Sequence, residues 1–369
     1  MKKKAVPLVV LASALIVCLA AYFAVTSANR RGEEDAAKKA AESLLYKNGR
    51  GDPVTVSFGA GGGAALEFAL DGGVWRYTAV PDFPLTQSYV TRVAASLNTL
   101  APDSVIATGL PLGDYGLSEP SYTLTASDGA SEPFTLIFGN KVGEFIYAMR
   151  PGGDEIYTVR ASLADFLGVG LYDMVTLETM PAVETERMTA LTAARGDAVF
   201  SAELRGIQGE NVWVVTSGGQ ETRIDGVPTP DGGDRSAKRY LDAALNALAA
   251  PAFAACADWR APDGALEAYG LAAAPPGGGA AGGGALTVGL TFMSGSGFIT
   301  EEKSYTLLIG GEVTDGDGPP PDGADSPERE YRDRYARLDG SEFINTLPAS
   351  VAQPLIELFE TLHVKAISS

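Results

Sequence analysis

The sequence predicts an α+β chain, with an N-terminal transmembrane helix followed by two related units of mostly antiparallel sheet, each with one main packed helix. Three observations predict it. An uncharged run opens the chain, a set of landmarks recurs in order along it, and strand-length runs rich in β-branched residues are interleaved with segments spaced for a helix.

Lys2, Lys3 and Lys4 precede twenty-five uncharged residues, Ala5 to Asn29, which end at Arg30 and Arg31. As a helix rising about 1.5 Å per residue, this run is long enough for a hydrocarbon core of about 30 Å. Residues 1–31 are therefore expected to be a signal anchor. Thr26-Ser27-Ala28 is a poor cleavage site, and Val17 stands before Cys18 where lipid attachment wants a small residue. Basic residues on both sides orient the run weakly. The expected location is the cell membrane, single-pass, with the bulk of the chain extracytoplasmic. From Glu33 to Lys47 acids precede lysines, as a helix dipole favours, so residues 32–50 are expected to form a helical stalk.

The repeat comes next. Trp75, a helix ending in LNTL at Leu100, the turn Tyr115-Gly116-Leu117, TLIFG ending at Gly139 and Tyr147 are answered by Trp213, LNAL ending at Leu248, Tyr269-Gly270-Leu271, TLLIG ending at Gly310 and Tyr335. The offset grows from 138 to 188 along the chain, so the second copy only gains residues. Two gains coincide with low-complexity stretches, Gly-rich 275–284 and Pro/Asp-rich 315–327, where loops absorb length most readily. The expected units are 51–180 and 181–369. YTLTAS, FTLIFG, LTVGLTF and YTLLIG read as strands. Val90, Val93, Ala94, Leu97 and Leu100 in one copy, and Tyr240, Leu241, Ala244, Leu245 and Leu248 in the other, keep helical spacing. Asp234 or Ser236 is placed to cap the second helix, and Val351 to Val364 is expected to be a helical tail.

Composition excludes several classes. The net charge of −18 offers no basic face for nucleic acid, two cysteines make no disulfide scaffold, and one histidine makes no multi-histidine metal site. Neither Gly61–Gly63 nor SGSGF, with Gly295 and Gly297, completes a phosphate-binding motif. Asp315, Asp317, Asp322 and Asp325 lack the spacing of a calcium loop. His363 reads as a helix-end residue and Cys256 as a small buried one, so no catalytic residue, cofactor or metal is assigned. Trp75 and Trp213 read as core residues or as sugar-stacking platforms. The candidate partner-binding turns are Tyr115, Gly116, Leu117 and Tyr269, Gly270, Leu271. In the other reading of them, glycine supplies a tight turn while tyrosine and leucine pack inward.

LGDYGLSEP (Leu112–Pro120), FTLIFGNKV (Phe134–Val142), and IYAMR with EIYTV (Ile146–Val159) resemble the bacterial envelope proteins grouped as domain of unknown function family 4340. The resemblance covers roughly residues 54–180 and recurs weakly toward the C-terminus, where Ala268 replaces the aspartate and Pro275 comes one residue late. It implies a membrane-tethered extracytoplasmic protein, often accompanied by parts of ABC-type export systems, and brings no catalytic residue with it. The expected function is a membrane-anchored binding or accessory module without catalysis. Its partners would be the membrane, through the N-terminal helix, and an envelope or ABC-type transporter protein. The alternatives are a carboxylate-dependent cell-wall or polysaccharide hydrolase, which needs only two acids about 5–10 Å apart, and a structural spacer.

Overall fold

The computed structural model describes residues 43–47, 50–107, 111–224, 233–273, 284–296, 299–314 and 331–367. The chain divides between Met174 and Val175, six residues before the expected boundary, and Met180, on the near side of that boundary, is a core residue of the second unit.

In the first unit, residues buried at every second position build the strands. Val56 and Phe58 are buried in β1 (Thr55–Ala60), Leu124 and Ala126 in β5 (Tyr122–Ser127), and Phe134, Leu136 and Phe138 in β6 (Phe134–Val142). With β2 (Leu66–Asp71), β3 (Val74–Tyr77), β4 (Ser104–Ala107), β7 (Phe145–Met149) and β8 (Glu155–Arg160) they form one sheet in the order β3-β2-β1-β5-β6-β7-β8-β4. Helix α1 (Gln87–Asn98) buries Val90, Val93, Ala94 and Leu97 against it, and a single-turn helix α2 (Ala164–Leu167) follows β8.

The second unit has β9 (Met188–Arg195), β10 (Ala198–Ile207), β11 (Glu210–Ser217), β12 (Gln220–Ile224), β13 (Ala255–Asp258), β14 (Leu286–Ser296), β15 (Ile299–Glu312), β16 (Arg334–Leu338) and β17 (Ile344–Leu347). Its order is β12-β11-β10-β9-β14-β15-β16-β17-β13. Helices α3 (Gly233–Ala249) and α4 (Ala349–Ile367) pack on each other, and Leu241, Leu245, Leu355 and Phe359 lie in the core they share with the sheet.

The expected fold class is corrected by this architecture. The described chain is mostly two large, wholly antiparallel sheets, with few helices. Local signals passed over in the sequence raise the strand content: Gly72-Gly73 and Gly218-Gly219, all at positive φ, close two-residue hairpins between β2 and β3 and between β11 and β12. The second unit also carries two long helices rather than one. Among the described residues, no helix is long and apolar enough to cross a membrane. The run Ala5–Asn29 and both low-complexity tracts lie outside them, except for Gly284. The end of the expected stalk is different too. Residues 45–47 form a turn that belongs to the first unit, with Leu45 and Tyr46 buried, Tyr46 edge-on to Phe134, and the Arg150 guanidinium donating to the Leu45 carbonyl at 2.7 Å.

Apart from β12, the second sheet repeats the strand order of the first. The registers agree as well. Trp75 faces Leu70 as Trp213 faces Leu204, and Phe138 faces Ala148 as Ile309 faces Ala336. Each of the latter ladders then slips, between Phe138 and Lys141 in one sheet and between Ile309 and Glu312 in the other. The extra strand also has a counterpart. Trp213 pairs with Ile224 of β12, whereas the Trp75 N–H donates to Gln87 Oε1 at 2.7 Å and its carbonyl accepts from Gln87 Nε2 at 2.9 Å. One side-chain amide at the start of α1 therefore satisfies two backbone groups that a neighbouring strand would otherwise take.

Candidate functional site

The two Tyr-Gly-Leu turns have the same construction. Leu112–Tyr115 makes a short 3-10 turn, after which the Leu117 N–H donates to the Leu112 carbonyl at 3.0 Å and the Gly116 N–H to the Gly113 carbonyl at 3.0 Å. In the second unit the Leu271 N–H donates to the Leu266 carbonyl at 2.8 Å and the Gly270 N–H to the Glu267 carbonyl at 3.0 Å. This six-to-one and five-to-two pairing requires a left-handed residue at its fifth position, and Gly116 (φ 71°) and Gly270 (φ 66°) supply it.

Each turn is docked on its sheet at the point where the ladder slips. A Cβ on Gly139 of β6 would collide with the Tyr115 carbonyl oxygen, and a Cβ on Gly310 of β15 with the Tyr269 carbonyl oxygen. In the second unit that carbonyl accepts from the Gly311 N–H at 2.9 Å. The tyrosine rings meet a second tyrosine edge-on, Tyr115 with Tyr147 at 5.0 Å and Tyr269 with Tyr335 at 4.9 Å. Tyr115 and Leu117 are buried with Met149 and Ile156 in one small cluster, and Leu271 is buried with Ala261 and Ile344 in another, the latter separate from the main core of the second unit. The side chains of both turns are thus turned to the sheets. What they hold is the close approach of a loop to a bulged strand.

The other candidates fall as follows. Trp75 is buried, and Trp213 packs half-buried against the main core of the second unit. Cys256 faces Asn345 across β13 and β17; burial above all, then the Asp258 and Glu178 carboxylates, pushes its thiol up to about 12, so at neutral pH it carries no thiolate. Asn345 is fully buried and donates to Glu178 Oε2 at 3.0 Å, while the Ser341 hydroxyl donates to Glu178 Oε1 at 2.6 Å, tying the segment before β9 to the β16–β17 hairpin. Gly61–Gly63 forms the β1–β2 turn, where the Gly61 N–H donates to the Ser121 carbonyl at 2.7 Å. His363 lies in α4, and Asp234 and Ser236 lie within the first turn of α3, which runs from Gly233, rather than ahead of it as a cap; the four aspartates of 315–325 and Gly297 lie outside the described residues. Among the described residues, no three His, Cys, Asp or Glu side chains are grouped to hold a metal ion.

Sequence reasoning missed Gln87 and Glu178, whose bonds join residues far from any motif. It also missed Asp128. This carboxylate accepts from the N–H groups of Gly51 at 2.9 Å, Ser131 at 2.8 Å and Ala130 at 3.1 Å, and from the Ser131 hydroxyl at 3.1 Å. These donors, Gly51 first, hold its pKa far below the usual carboxylate value, and Lys47 holds Asp52 low in the same way. A depressed folded-state pKa adds stability above the unfolded value of about 3.8, and that stability is lost as pH falls below it. Asp128→Asn is expected to melt below the wild type at about pH 6, the gap closing below about pH 4. Circular dichroism melts across that range check it, and a gap independent of pH contradicts it.

No curated protein and no solved structure matches the chain. The matching family model begins at Trp75 and ends just past Leu271, so it extends well beyond the stretch 54–180 on which the resemblance was strongest. It covers more than half of the chain, residues 75–274, and the chain belongs to the family described as Domain of unknown function (DUF4340).

Proposed function

We propose that this chain is a binding or accessory module of the bacterial envelope, acting outside the cytoplasm on a protein partner rather than by catalysis, with a component of an ABC-type export system as the partner class. One observation supports this most: the positions shared by the two units are scaffold positions. The turn glycines, the docking glycines, the paired tyrosines and the ladder tryptophans recur, and each is used in packing or backbone geometry. A scaffold built twice on one register presents loops and sheet edges that differ between copies, which suits recognition. The net charge of −18 favours a basic partner surface and speeds encounter with it.

The test is crosslinking of the native protein in its own cells, followed by identification of what co-purifies. A transporter component captured reproducibly is the expected result. A purified chain that cleaves cell-wall glycan, with no partner captured, overturns the proposal.

A further inference from the structure

Among the described residues the two sheets end in four edge strands, and three of these edges are blocked. The Gln87 amide occupies the outward backbone groups of Trp75 in β3. β12 carries Glu221 and Arg223, both exposed, in a five-residue strand. β13 is broken by a register shift between Cys256 and Asp258. Charges, bulges and plugs of this kind are how proteins keep edges from pairing.

β4, although only four residues long, has no charge, register shift or side-chain plug. It reads Ser-Val-Ile-Ala, without charge or proline, and pairs with β8 in four consecutive steps from Ser104↔Thr158 to Ala107↔Glu155. Among the described residues no other strand pairs with it. Val105, at 55% exposure, is the most exposed large apolar side chain among the described residues. The surroundings are acidic. Asp103 precedes the strand, and Asp154 and Glu155, both exposed, lie at its other end. The nearby arginines are engaged, Arg160 with Glu144 at 3.0 Å and Arg150 with the Leu45 carbonyl and the Phe134 ring.

We infer that β4 is a docking edge which accepts an extended segment of a protein partner, with apolar β-branched residues at its centre and basic residues at its ends. Strand addition supplies the main-chain hydrogen bonds, and side chains at alternate positions supply selectivity. Val105 calls for an apolar neighbour across the new ladder, and the acids at both ends call for lysine or arginine. A second copy of this chain fits poorly, since antiparallel pairing of two β4 strands brings Asp103 of one toward Asp154 and Glu155 of the other. The inference deepens the binding-module proposal and rests on it.

The test uses the full chain and two synthetic peptides of about nine residues sharing a core of alternating Val and Thr, one flanked by lysines and one by glutamates. The lysine-flanked peptide is expected to bind and to slow amide exchange at Ser104 to Ala107. The glutamate-flanked peptide is expected to bind about tenfold more weakly or worse. Val105→Lys should weaken lysine-peptide binding about tenfold or more, and Val199→Lys, equally exposed but in the interior strand β10, should change it less than about twofold. Melting curves establish that both variants fold. Protection away from β4, equal binding of the two peptides, no binding, or an oligomer abolished by Val105→Lys each overturns the inference. If Val105→Lys retains every partner captured by crosslinking, the edge assignment fails while the binding proposal stands.

Discussion

Gly139→Ala is expected to destabilise the first unit by about 3 kcal/mol or more, and Gly310→Ala the second unit by a similar amount. Neither glycine is needed for its backbone conformation, since neither has a positive φ. The need is steric. The added methyl would occupy the place of the Tyr115 or Tyr269 carbonyl oxygen, a backbone atom that no rotamer change moves aside. Relief requires lifting the whole turn from the sheet, which strips Tyr115 and Leu117 from Met149 and Ile156 in one unit, and Leu271 from Ile344 in the other. Gly143→Ala separates the two effects: that residue has φ 58° but nothing within 4 Å of a Cβ, so only conformational strain of about 1–2 kcal/mol is expected. Urea titrations of the full chain, with hydrogen exchange to assign each transition to its unit, measure the three variants side by side. If Gly139→Ala costs no more than Gly143→Ala, the docked turn is not what holds that face of the sheet together.

The same glycines show what was legible in the sequence. Repetition of Tyr-Gly-Leu and of the glycine that closes TLIFG and TLLIG marked both partners of the dock, because a steric need that admits one residue type leaves that type in place in both copies. The tryptophans were visible for a similar reason, each facing a leucine at the same ladder position. What escaped was set by distant partners. Residues 33–47 have local helical charge order, yet Leu45 and Tyr46 are drawn into the first core and the Leu45 carbonyl is held by Arg150, more than a hundred residues away. Gln87 replaces a strand by way of two hydrogen bonds that no spacing rule encodes. Glu178 meets Asn345 across 167 positions, and nothing in the flanking residues of either announces it. Strands β1, β2, β9 and β10 were passed over because their pairing, rather than their propensity, makes them strands. The glycine pairs at 72–73 and 218–219 were the one available signal for two of the hairpins.

The second helix of the second unit was foreseen only as a tail, and Phe359→Ala tests its larger role. Phe359 has no exposed surface, its ring lies 6.3 Å from that of Phe200, and the Arg195 guanidinium stands 5.5 Å over it. Helix α4 thereby joins α3 and β10 in a single core. Its first turn is held from outside, the Ala349 N–H donating to Asp333 Oδ1 at 2.9 Å, a carboxylate placed where the helix dipole welcomes it. Removing the ring leaves a cavity between helix and sheet and costs about 3–5 kcal/mol. It also leaves Arg195, whose pKa burial already lowers, without its aromatic partner. Loss of amide protection along both α3 and α4, with the first unit's strands unaffected, is the expected hydrogen-exchange signature. Ser350→Ala, in the first turn of the same helix and exposed, should change stability by less than about 0.5 kcal/mol. Equal effects of the two substitutions, or a Phe359→Ala cost below about 1 kcal/mol, would show that α4 contributes no core and that α3 alone covers the sheet.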